Sequence, residues 1–221
     1  MSKILKVRAR QVFDSRGNPT IEAEVYSKNL SASAICPSGA STGTYEAFEK
    51  RDKNNRKYLG KSVLTAVNLV NTKISKKLAG TNIHDQTRID TILINLDGTR
   101  QKTNLGANAI LAVSMAAKKL SAKIKNVPLY KTFLVKNKYK LPYPLMNIIN
   151  GGAHANNGLR IQEFMIRPDK AKSFSEAMRI CFIVINNLRD LIIKKGLSTS
   201  VGDEGGFAPM IDSNEKALDL I

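Results

Sequence analysis

Cysteine is scarce. Cys36 and Cys181 are the only two, far apart and in no metal-binding spacing. A disulfide scaffold or cysteine zinc site is therefore not expected, and both read as small buried hydrophobes in a reducing compartment. Tryptophan is absent and aromatics are only 6% of the chain. None interleaves with the lysines as a base-stacking groove requires. Long apolar runs are missing too. The weakly polar stretch 107–117 is too short and alanine-rich to span a bilayer, and the N-terminus returns to charge before any signal-peptide core. A cytoplasmic chain without a membrane span is expected. Acidic residues are in the minority, 18 against 35 lysines and arginines, for a formal charge of +17. Such an excess can serve nucleic acid. Here the lysines are scattered and no zinc-finger or helix-turn-helix pattern accompanies them, so a solvated basic surface is the reading and nucleic acid is not expected. HExxH, EF-hand, CxxC, P-loop and GxGxxG patterns are likewise lacking, which argues against the chemistries they carry.

What is present is ordinary globular composition, 43% hydrophobic and 24% charged. Residues 4–13, 20–26 and 30–36 read as three strands of an antiparallel meander, joined by turn signals at 14–19 and 28–29. Apolar spacings of three and four predict helices over 62–78, 85–96 and 105–124, and Pro128 opens a short one over 129–134. The polar, proline-interrupted run 136–143 reads as a linker between a domain at 1–135 and a second region at 144–221. There, short apolar runs at 145–150, 161–166 and 198–201 alternate with helical signals. Ser173 and Glu176 form a capping box before a helix ending near Lys195, and Asp212 with Glu215 marks another start. This rhythm predicts the opening of a barrel or parallel sheet that continues into a longer α/β unit.

Three polar, glycine-rich segments carry the candidate chemistry. The first is Ser38-Gly39-Ala40-Ser41-Thr42-Gly43, a hydroxyl-bearing loop after a strand, able to close over an anion. The second runs from Asn150 through His154 to Gly158 and leads to Glu163, a carboxylate interrupting an apolar strand. Such a carboxylate faces water or needs a partner. The third, 201–209, sets Asp203 and Glu204 among glycines. His154, Glu163 and Glu204 all follow predicted strands, and paired carboxylates raise one another's pKa, as a general acid requires. Proton transfer or elimination suits this set. Acyl transfer does not, because no activated serine or second histidine accompanies it.

At these residues the chain closely resembles the enolase family. The resemblance runs from about residue 4 to the end. Its stretches are Asp14-Ser15-Arg16-Gly17-Asn18-Pro19-Thr20, the loop 38–43, Gly106-Ala107-Asn108-Ala109-Ile110, 146–152, Gln162-Glu163-Phe164-Met165-Ile166 and 201–209. It implies a small α+β domain, a three-stranded antiparallel sheet with helices, followed by the start of an enolase-type (β/α)8 TIM barrel. It implies a Mg2+-dependent lyase that converts 2-phosphoglycerate to phosphoenolpyruvate in glycolysis and gluconeogenesis. Carried over by motif, Glu204 and Glu163 would be catalytic, with Glu204 helping to protonate the departing hydroxyl. His154, with Glu163, would contact substrate, and Ser41 would ligate a substrate-associated Mg2+.

The resemblance also implies a homodimer in the full-length form, with Arg10 and Glu22 matching positions of intersubunit ion pairs, and it allows a cell-surface or secreted pool. The family's three acidic ligands for its tightly held Mg2+ and its lysine base would lie beyond Ile221. The chain is therefore expected to be about half of an enolase and inactive alone. The alternative is a catalytically inactive enolase-like protein that binds surfaces or polyanions.

Overall fold

The computed structural model describes residues 2–39, 42–133 and 139–221. The chain divides into two compact units, Met1–Leu134 and Val135–Ile221.

In the first unit, β1 (Lys6–Phe13), β2 (Pro19–Ser27) and β3 (Leu30–Cys36) form an antiparallel sheet in that order. The turn before β2 is held by Asp14, whose Oδ1 accepts the backbone N–H groups of Arg16 and Asn18, each at 2.9 Å. Alternation along β2 turns Ile21, Ala23 and Val25 inward. They meet the alanine-rich helix α4 (Ala107–Ile124), where Ala109, Ala112, Val113, Ala116, Ala117 and Leu120 are buried. Small side chains let helix and sheet approach closely, so alanine here is a packing choice as well as a helix former.

The helix expected over 62–78 is interrupted. It comprises α1 (Leu64–Leu69), a π-helical stretch Val70–Ile74, and α2 (Ser75–Leu78). The interruption accompanies an unusual edge. β1 is an outer strand, and its N–H groups at Val7 and Ala9 are met by Ser75 Oγ at 3.0 Å and Asn71 Oδ1 at 2.7 Å. Asn71 returns a bond to the Ala9 carbonyl. Helix side chains thus occupy part of an edge another strand could otherwise pair with. The start of α1 is capped from afar, by the Asp52 carboxylate on the N–H groups of Leu64 and Thr65.

α3 (Gln86–Asp97) starts on its Asp85 cap and ends at Gly98 in the left-handed conformation, φ 71°. The short helix after Pro128 covers Leu129–Thr132; Leu134 lies outside the described residues, as do positions 136–138 of the expected linker. Cys181 is buried, whereas Cys36 at the end of β3 is only half-buried, which corrects the expectation of two buried thiols.

The second unit departs from the expected parallel order. β4 (Met146–Asn150) and β5 (Glu163–Ile166) pair antiparallel, with a bulge between Asn147 and Ile149. The run at 198–201 forms no strand; only Val201 bridges, to Phe207. Phe207 is the residue that lies parallel to β4, against Ile149. α5 (Phe174–Lys194) starts on Ser173, whose Oγ accepts the Glu176 N–H at 3.1 Å. The Glu176 carboxylate returns to Lys172 N–H at 2.7 Å. It buries Ala177, Cys181, Leu188 and Ile192. The cap of α6 (Asn214–Leu220) is Ser213, not Asp212: Ser213 Oγ accepts the Lys216 N–H, while Asp212 forms an ion pair with the Lys216 side chain. Among the described residues, no helix is long and apolar enough to cross a membrane.

Asp97 makes the first unit sensitive to acid. It is 1% exposed. Burial opposes its charge, but hydrogen bonds from Thr99 and the Leu105 N–H outweigh that and hold its carboxyl below the ordinary aspartate value. A depressed folded pKa stabilises the fold above the ordinary value, and that stabilisation is lost as pH falls through the folded one. The urea midpoint is therefore expected to drop in that acidic window. Asp97→Asn should cost about 1–3 kcal/mol at neutral pH and show a smaller acid-dependent drop.

Candidate functional site

β4 ends at Asn150, directly opposite Glu163 at the start of β5. Glu163 thus opens its strand instead of interrupting one, and it is half-buried. Between the two strands the chain makes a short helical turn, Gly152–His154. His154 is 5% exposed although it lies in a segment of alanine, glycine and asparagine. Its backbone is held from both sides: its N–H donates to the Gly151 carbonyl at 3.0 Å, and its carbonyl accepts the Asp203 N–H at 3.1 Å.

The third segment closes on itself. Gly202 N–H donates to the Gly206 carbonyl at 2.8 Å and Gly205 N–H to the Gly202 carbonyl at 3.1 Å, with Gly205 at φ +83°. This tight turn lifts Glu204 toward His154. Two glycines permit the approach. A Cβ on Gly202 would stand 2.6 Å from the His154 carbonyl oxygen, and one on Gly151 would stand 2.3 Å from that of Ile161.

The result is one cluster. Ligand-type atoms of His154, Glu163 and Glu204 all lie within 4.8 Å of one another. Glu204 Oε2 is 3.3 Å from His154 Nδ1. That contact is close but poorly aligned, short of a full hydrogen bond. A hydrogen bond that the protonated Glu204 donates to Glu163, partial burial and the Glu163 charge push the Glu204 carboxyl above the ordinary glutamate value, while His154 pulls the other way. Two carboxylates this close repel each other, which favours a proton on Glu204.

A family model described as "Enolase, N-terminal domain" matches residues 4–133, and one described as "Enolase, C-terminal TIM barrel domain" matches 138–221. The chain belongs to the enolase family. It is 93% identical over 221 residues to "Enolase" of Pelagibacter ubique (strain HTCC1062), a match that covers 100% of this chain and 53% of that relative. The chain thus spans about half the length of the curated enolase it matches.

The three enolase-motif residues of the second unit therefore come together, and the loop 38–43 belongs to the first unit. Ala40 and Ser41 lie outside the described residues. Ser38 is engaged locally: its hydroxyl donates to Glu49 at 2.7 Å and accepts from Arg51 at 2.7 Å. Arg16 donates to the Ser38 and Gly39 carbonyls at 2.7 and 3.0 Å. Thr42 is exposed, and the Gly43 N–H meets the Glu46 carboxylate at 2.9 Å. Arg10, expected to face another subunit, pairs within the chain with Glu22 and Glu24.

A group of one imidazole and two carboxylates can hold a cation, but it does not fit Mg2+ well. That ion demands a near-octahedral set of oxygens, and here one donor is a ring nitrogen and the two carboxyl groups are close enough to compete for one proton. The sequence reasoning missed Gln162, whose Nε2 lies 3.0 Å from His154 Nε2. Strand alternation would send residues 162 and 163 to opposite faces. Because β5 begins only at Glu163, that rule does not reach Gln162.

Two outcomes are expected. Glu163→Gln removes the neighbouring charge, so the Glu204 carboxyl should titrate at lower pH in a carbon-13 NMR titration of the glutamates; an unchanged midpoint contradicts the pair. Gly202→Ala should destabilise by about 1–3 kcal/mol through the clash at His154, read as a fall in the urea midpoint.

Proposed function

We propose that these residues serve the reversible dehydration of 2-phosphoglycerate to phosphoenolpyruvate. The observation that supports this most is the raised carboxyl of Glu204 beside Glu163 and the buried His154. Hydroxide is a poor leaving group, and a carboxyl whose affinity for its proton is raised can deliver that proton as the C–O bond breaks. Glu204 Oε is the proposed donor. Glu163 keeps that proton in place by hydrogen bonding and like charge, and itself faces substrate. His154, fixed through its backbone, is proposed to orient the substrate.

Mg2+ belongs to this reading. When bound, it stabilises the negative charge that develops on the substrate carboxylate after loss of the alpha proton. The proposed ligand from this chain is Ser41, not the His154–Glu163–Glu204 cluster. No lysine of the chain matches the family's base motif, so residues 1–221 alone are proposed to lack normal turnover. A homodimer of the full-length protein and cytoplasmic residence complete the proposal.

The test joins residues 1–221 to the remaining segment of the Pelagibacter relative. That protein should dehydrate 2-phosphoglycerate with Mg2+, and Glu204→Gln within it should lower kcat by about 10²–10⁴-fold, the usual contribution of a positioned general acid. Full activity of the variant would remove Glu204 from the chemistry. The 221-residue chain assayed alone should show no normal turnover, and normal turnover there would contradict that part.

A further inference from the structure

We propose that Gln162 is a positioning residue that fixes the tautomer of His154, leaving Nε2 bare and placing the ring proton on Nδ1, toward Glu204. The inference deepens the enolase reading, which gives it meaning, but its evidence is independent of turnover.

The amide nitrogen of Gln162 is 3.0 Å from His154 Nε2. An amide nitrogen donates and does not accept, so the ring nitrogen facing it must be the acceptor. In a neutral imidazole the other nitrogen then carries the hydrogen. On that side stands the Glu204 carboxylate, 3.3 Å from Nδ1. Both ends of the ring therefore favour the same tautomer.

A second contact supports this orientation of the amide. The same Gln162 nitrogen is 3.5 Å from Glu163 Oε1. A turned amide would set its oxygen toward that carboxylate oxygen, a repulsive arrangement. With nitrogen there, one amide hydrogen points to His154 and the other toward Glu163. Backbone geometry holds both partners: the Gly151 N–H donates to the Gln162 carbonyl at 2.9 Å, and the Gly151 carbonyl accepts the His154 N–H at 3.0 Å. One residue, Gly151, thus locates both.

Glu163, Gln162, His154 and Glu204 form a closed ring of contacts. In it the Nδ1 hydrogen of a neutral His154 faces Glu204 Oε2 across 3.3 Å.

The chain has only two histidines, so nitrogen-15 NMR of the histidine-labelled 221-residue chain reads the tautomer directly, with His84→Gln assigning the signals. The wild type is expected to show His154 Nδ1 protonated and Nε2 bare, favoured about tenfold, within reach of the one hydrogen bond at Nε2. Gln162→Leu should bring the two tautomers closer to equal, and Gln162→Glu, which offers an acceptor, should put a proton on Nε2. Gln162 is exposed, so both variants are expected to fold, which circular dichroism checks. A protonated Nε2 in the wild type, or the same bare Nε2 in all three proteins, overturns the proposal. Failure of the Glu204→Gln activity test would remove the catalytic reading and leave this tautomer measurement untouched.

Discussion

Antiparallel pairing of β4 with β5 is the constraint on which the candidate site depends. In a parallel pair the start of the second strand lies at the opposite end from the finish of the first. Here Asn150 and Glu163 are ladder partners, so the last residue of one strand and the first of the next share an end. His154, in the connection between them, is carried to that same end, and Phe207 alongside Ile149 brings the Glu204 turn in from the other side. Three residues spread over fifty positions meet through backbone hydrogen bonds and the apolar cluster that Ile149, Phe164 and Phe207 share beneath them.

The backbone also explains the glycines. Gly151 and Gly202 sit where a carbonyl of a neighbouring segment comes closer than a Cβ allows. Gly205 serves differently, as the residue that lets the 201–209 turn bend at φ +83°. Gly202 is there because another chain segment passes against it. Asp203 illustrates the same shift: the acidic pair suggested two carboxylates in a site, yet Asp203 contributes its N–H to the His154 carbonyl.

The meander, the cap at Ser173 and the long α4 were legible because periodicity and capping are local properties. The π-helical stretch at Val70–Ile74 was not, because the apolar spacing of 62–78 is compatible with a continuous helix. Nor was the cap of α6, where Asp212 and Ser213 are both competent and only the geometry chooses.

The sequence by itself determined the family, the α+β character of the first unit and the identity of His154, Glu163 and Glu204 as candidates, since motifs and alternation are written along the chain. Tertiary structure decided the burial of His154, the direction of β5, the closeness of the two carboxylates and the part of Gln162. Each of these is a relation between distant segments, and proximity in space, which shifts a pKa or selects a tautomer, leaves no local pattern in the order of residues.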